Sequence, residues 1–95
     1  MIEYKELNTV EKIARFTKMQ VTTYRNYPSK KAEIATILAP IFSEESEGWK
    51  TVLDMGKFRN GFTRVLGVKG MRALKKLLYA VDETKYKAVD FGVDD

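Results

Sequence analysis

Apolar residues recur at intervals of three and four positions, and this periodicity limits the chain's fold more than any other feature of the sequence. It is clearest in the segment that contains Met71, Leu74, Leu77, Leu78 and Val81. Side chains at these intervals share one side of an α-helix, whereas a half-buried strand needs strict alternation. The pattern predicts a mainly α protein: a compact bundle of about four or five short helices, with minor β structure only at the termini.

The first helix is predicted to begin at Asn8, whose side chain can accept a hydrogen bond from a free amide of the first turn. Glu11, three residues later, completes a capping-box pattern. The β-branched and aromatic residues 21–24 favour a loop after this helix, with a short strand as the alternative.

Two further helices are predicted before residue 56. Ser29 is placed to cap the second helix, and Pro40 should end or kink it near Ala39 because proline lacks the amide that a helix needs. The third helix should begin after Ser43, with Trp49 on its buried side. Three carboxylates fit the partial positive charge of its N-terminus: Glu44, Glu45 and Glu47.

Residues 57–81 look like a helix-turn-helix, in which two helices flank a short turn. Asn60 and Gly61 would by themselves signal a hairpin turn, but no alternating strands flank them. Four apolar residues at helical spacing favour a helix there instead: Phe58, Phe62, Val65 and Leu66.

The turn of this predicted motif lies at Gly67. Glycine tolerates the positive φ that such a turn requires, and Val68 is the apolar residue expected beneath the turn. The register departs from the motif in one respect. The apolar positions usual in its second helix would fall on Ala73 and Lys76, and lysine is a poor core residue.

Composition fits one folded domain spanning residues 1–95, with 44% of residues hydrophobic and 32% charged. The absence of cysteine rules out disulfides and thiolate metal sites, and the absence of histidine removes the usual general base. The acidic residues lack calcium-loop spacing, and the sequence has no P-loop and no nucleophile elbow. We therefore expect no enzyme activity, no metal and no cofactor.

The cellular location is predicted from the lengths of the apolar segments, which are too short for a signal peptide or a membrane span. No stretch matches the apolar region of a signal peptide or approaches the ~20 apolar residues of a membrane span. Together with the absence of cysteine, this favours a cytoplasmic protein with no membrane partner.

Positive charge is concentrated in one part of the chain. The formal net charge is +4, yet no acidic residue occurs between Met55 and Val81. The basic residues of this window are Lys57, Arg59, Arg64, Lys69, Arg72, Lys75 and Lys76. Segregation of this kind points to a polyanionic partner more strongly than the total charge does.

The leading interpretation is a small helix-turn-helix-like regulator that binds nucleic acid, expected to be DNA, as a homodimer. Lys69, Arg72 and Lys76 would form a positive stripe that neutralises phosphates. The candidate binding residues are Arg64, Lys69, Arg72, Lys75, Lys76 and Tyr79. The competing interpretation is that they form the solvated side of a surface helix, with cations near its negative C-terminal end.

A second acid-free window runs from Lys12 to Ala32. It could merge with the first window into one basic surface. Its Tyr24 and Tyr27 could instead stack on the bases of a single strand, where each contact is worth roughly 1–3 kcal/mol. The alternative is that both tyrosines are partly buried loop anchors.

A rival function is a protein-interaction module or inhibitor that docks on an acidic protein, because electrostatic steering would serve it equally well. Such a module should expose several aromatic rings together in one patch. The candidate rings are Tyr24, Tyr27, Trp49, Phe58 and Phe62. Their exposure therefore separates this interpretation from nucleic-acid binding.

Overall fold

The computed structural model describes residues 9–43, 46–49 and 56–94. Its elements are α1 (Val10–Asn26), a 3₁₀ turn (Pro28–Lys30), α2 (Lys31–Leu38) and α3 (Lys57–Tyr86), and residues 47–49 are also helical. These ranges contain no strand, which confirms a mainly α fold for the described part of the chain. Within them, no helix combines the length and apolar character needed to cross a membrane.

The backbone of α3 leaves the helical conformation at two residues. Gly67 has φ 73° and ψ 173°, and Asp82 has φ −158° and ψ 94°. The side chain of Asp82 accepts a hydrogen bond from the Lys85 amide at 3.1 Å and so caps the last turn. We call residues 57–66 the first arm and residues 68–81 the second arm. The helix pair predicted on either side of Gly67 is present.

Three aromatic rings pack edge to face within the single apolar core. The ring centroids of Phe42 and Trp49 are 4.4 Å apart, those of Phe42 and Phe62 are 5.4 Å apart, and those of Trp49 and Phe62 are 5.1 Å apart. Each such pair contributes about 0.5–1.5 kcal/mol beyond the burial of its area. The trio therefore fastens the first arm to the segment that follows α2, and the predicted burial of Trp49 is confirmed.

The predicted loop at residues 21–24 is wrong, because α1 runs through all four. Val21 is 3% exposed and continues the buried side on which Thr17 lies, so packing overrides the local preference for extended structure. The Thr23 hydroxyl donates to the carbonyl oxygen of Met19 at 2.9 Å, which satisfies it within the helix.

Two predicted helix caps are displaced. Thr9 caps α1: its side-chain oxygen accepts from the Lys12 amide at 3.3 Å, one position after the predicted Asn8. Ser29 lies inside the 3₁₀ turn and makes no capping bond, because the preceding proline has already started that turn. The end of α2, at the residue before Ala39, is as predicted.

Some predictions fall on residues that the structure does not describe. They concern Asn8, Glu44, Glu45, the side chain of Phe58 and any β structure before residue 9. At the C-terminal end the structure describes residues 87–94, and these contain no strand, so the β structure allowed there is not found.

Residues 87–94, which we call the strap, fold back across both arms. In the first arm, Nη1 of Arg59 donates to Oδ2 of Asp90 at 2.6 Å. In the second arm, Nε of Arg72 donates to the carbonyl oxygen of Asp94 at 3.1 Å. The strap therefore bridges the two helices that meet at Gly67.

Two aromatic side chains at this end of the chain complete the core. Tyr86 is 1% exposed, and its hydroxyl donates to the carbonyl oxygen of Ala39 at 2.8 Å, next to the end of α2. Phe91 is 2% exposed. This terminal segment therefore packs onto the body of the protein.

Replacing Thr17 with valine should stabilise the protein by about 1 kcal/mol. The Thr17 hydroxyl is fully buried and has no hydrogen-bond partner among the described residues, so an isosteric methyl removes an uncompensated desolvation cost. Thr36→Val is the matched control, because the exposed Thr36 hydroxyl donates to the Ala32 carbonyl. Urea unfolding of both variants measures the difference, and a loss of stability in Thr17→Val would contradict the prediction.

Candidate nucleic-acid interface

Two glycines set the corner between the arms. Gly67 has a positive φ with ψ near 180°, a conformation that is essentially restricted to glycine. Gly70 lies within the second arm, where a Cβ atom would approach Cβ of Leu66 to 2.8 Å. The corner therefore needs one glycine for its backbone angles and the other for the close approach of the arms.

The apolar residue beneath the turn is not Val68, which is 50% exposed. Leu66 packs against the core instead, and it is the side chain that faces Gly70. The helix resumes immediately after Gly67, so Val68 starts the second arm and points outward rather than closing the turn.

The core side of the second arm differs from the register of a helix-turn-helix. Its fully buried side chains are Met71, Leu74, Leu77 and Leu78. Ala73 is 8% exposed, whereas Lys76 is exposed to solvent and does not enter the core. Val81, predicted on the buried side, is 45% exposed at the residue before the backbone leaves the helix.

The opposite side of the second arm carries Lys69, Arg72 and Lys76, all exposed. They are three and four residues apart, so their Cβ atoms are neighbours at about 5–6 Å along the helix surface. No acidic residue occurs in residues 68–81. We call these three residues the basic stripe.

Lys75 and Tyr79 lie beside the basic stripe, and both are half-buried. Nζ of Lys75 is 5.5 Å from the centroid of the Tyr79 ring, within the range of a cation–π interaction. The Lys75 ammonium therefore interacts with the Tyr79 ring. We place both residues at the border of the stripe and not within it.

Arg72 is the member of the stripe that the strap holds in place. Its Nε donates to the carbonyl oxygen of Asp94, and no other hydrogen bond or ion pair of its guanidinium occurs within the described residues. A guanidinium has five N–H donors in a planar fork. The strap thus uses one donor of the fork and leaves the donors on its two terminal nitrogens for a ligand.

The first arm contributes less to the stripe than its charges suggest. Arg64 is exposed, but the backbone break at Gly67 interrupts the helical register between it and the stripe. Arg59 is paired with Asp90. That pair joins residues 31 positions apart, and no local sequence signal identifies it.

The basic residues that the second acid-free window contributes to α1 and the 3₁₀ turn are exposed. Lys12, Lys18 and Arg25 are exposed, while the exposed Arg15 pairs with Glu11 at 2.6 Å. This side of α1 faces away from the core, as the charge pattern requires.

The aromatic patch expected of a protein-docking module is not found in the part of the chain that the structure describes. Trp49 is 3% exposed, Phe62 is fully buried, and Tyr24 is half-buried against the core. Tyr27, at 60% exposure, is the one aromatic ring of that set that the structure places in solvent. Four of the five predicted rings are described, so this test bears directly on the rival interpretation.

Within the described ranges, no three acidic side chains converge in an arrangement that could hold a metal ion.

Comparisons with protein-family models, curated proteins and solved structures give no match for this chain. The geometry of the chain's own residues is therefore the evidence for its function.

Gly67→Ala should lower the free energy of unfolding by about 1–3 kcal/mol, because an L side chain is strained at this backbone conformation. A Cβ at Gly67 meets no described atom within 4 Å, so the cost is conformational rather than a steric clash. Gly48→Ala is the matched control, since Gly48 is helical and equally uncrowded. Urea unfolding should separate the two variants, and equal stabilities would show that the corner does not need glycine.

Proposed function

We propose that this protein binds nucleic acid, duplex DNA in the first instance, through the basic stripe of the second arm. The observation that carries the proposal is that the two sides of this helix differ: one side is apolar and buried, and the other is basic and exposed. The buried side accounts for its packing, with Met71, Leu74, Leu77 and Leu78 fully covered. The cations on the other side take no part in that burial, although Arg72 also donates a hydrogen bond to the strap.

Phosphate binding follows from the chemistry of the stripe. Lys69, Arg72 and Lys76 each present a cation to solvent, and each phosphate that they neutralise releases condensed counterions into solution. Arg72 can offer two parallel N–H donors to one phosphate from its terminal nitrogens, while its Nε donates to the strap. A solvated helix face usually mixes charges of both signs, whereas this one carries a single sign.

Two observations favour phosphate contacts over recognition of base edges. The second arm departs from the helix-turn-helix register at Lys76, and Val68 takes an outward position at its start. Phosphate contacts position a protein on a duplex without reading its sequence. Regulation at a specific sequence would require a second copy of the chain on a neighbouring half-site.

Docking on an acidic protein is less well supported, because the rings that would anchor it are buried. Trp49 and Phe62 belong to the aromatic trio of the core. Hot spots in protein interfaces are typically exposed aromatic and arginine side chains that cluster together. An acidic partner therefore stands as the alternative outcome of the experiment below.

Binding to a labelled mixed-sequence duplex, followed by fluorescence anisotropy over a salt series, tests the proposal. Three phosphate contacts predict a log–log slope of about −2.7. The double variant Arg72→Glu with Lys76→Glu should reduce the slope by about 1.8 and weaken binding severely.

The matched control is Lys12→Glu with Lys18→Glu, which makes the same change in net charge on the exposed side of α1. It should retain most of the affinity. Equal losses in the two double variants would assign binding to overall charge rather than to the stripe. Absence of binding near 50 mM salt, where such contacts are strong, would reject the proposal and direct the search to an acidic protein.

A further inference from the structure

Tyr27 is exposed although it is a large aromatic residue. It lies between α1 and the 3₁₀ turn, and 60% of its surface is accessible. Most aromatic side chains of the described residues are buried or half-buried, including the nearby Tyr24. Packing therefore does not explain why an aromatic ring is present at this position.

The backbone on both sides of Tyr27 is fixed. Its amide donates to the carbonyl oxygen of Thr23 at 2.8 Å, which ends α1. Its carbonyl oxygen accepts from the Lys30 amide at 2.9 Å, and Pro28 begins the 3₁₀ turn. The ring is thus presented from a rigid corner, which lowers the conformational entropy lost when a ligand binds to it.

Basic residues lie on both sides of Tyr27 in the sequence, and one of them lies over its ring. Nζ of Lys30 lies over the ring, 5.6 Å from its centroid. Arg25 is exposed at the end of α1, and Lys31 is half-buried at the start of α2. No acidic residue occurs from Lys12 through Ala32. The exposed ring therefore lies in a segment that carries positive charge and no negative charge.

We propose that Tyr27, with Arg25 and Lys30, forms a second site, which binds single-stranded nucleic acid by stacking an unpaired base. Lys30 covers one face of the ring, so the base would stack on the other face while its phosphates meet the cations. A protein partner fits less well, because one isolated ring is not a contiguous apolar patch. The site belongs to α1 and the 3₁₀ turn, and it shares no residue with the basic stripe.

A short fluorescein-labelled oligothymidine is the probe, measured by anisotropy at low salt against a blunt duplex. Tyr27→Ala should weaken binding of the single strand at least about fivefold, which corresponds to the loss of one base stack. Tyr27→Phe keeps the ring and should bind within about twofold of the unmodified protein. Duplex affinity should change by less than about twofold in both variants.

Met19→Ala is the control, because Met19 is equally exposed at 60% on α1 but has no aromatic face. It should leave binding of the single strand unchanged. In NMR spectra, the Tyr27 ring protons should shift upfield on addition of oligothymidine, as stacking requires.

Several results would overturn the proposal. They are an absence of single-strand binding, a Tyr27→Ala variant that binds as well as the unmodified protein, or a Tyr27→Phe variant that loses as much affinity as Tyr27→Ala. Duplex binding that fails while oligothymidine binding survives would reject the basic stripe alone, so the two sites can be judged separately.

Discussion

The break in the backbone at Gly67 is the constraint on which the rest of the structure depends. A continuous helix over the 30 residues of α3 would be about 45 Å long, whereas the longest dimension of the molecule is 34 Å. The chain must therefore turn within this segment, and only glycine accepts the angles found there without strain. Gly70 then lets the second arm approach Leu66 closely enough to share one core with the first.

Aromatic residues are distributed so that the interior is apolar and much of the described surface is charged. Phe42, Trp49 and Phe62 pack edge to face in the core, so these three rings are not available to anchor a protein partner. Tyr27 is exposed, and the Lys30 ammonium lies over its ring. The proposed ligands match such a surface, because nucleic acids combine regularly spaced negative charge with flat aromatic groups.

Helical periodicity in the sequence was sufficient to predict the fold class, the turn at Gly67 and the buried side of the second arm as far as Leu78. It failed at residues 21–24, where burial of Val21 outweighs the local preference for extended structure. The expectation that Val68 lies beneath the turn is also wrong, because burial at the corner depends on how closely the arms approach, and Gly70 permits that approach. Side-chain pairs between distant residues leave no local pattern to detect.

The strap has a consequence for the order in which the protein can fold during synthesis. A nascent chain that has emerged as far as residue 81 already carries all three cations of the basic stripe. It still lacks the Tyr86 ring, which binds the Ala39 carbonyl 47 residues earlier, and Phe91, which fills the same core. Because both side chains are part of the core, the core can be complete only after residue 91 has left the ribosome. The basic stripe is therefore synthesised before the core that supports it can be completed.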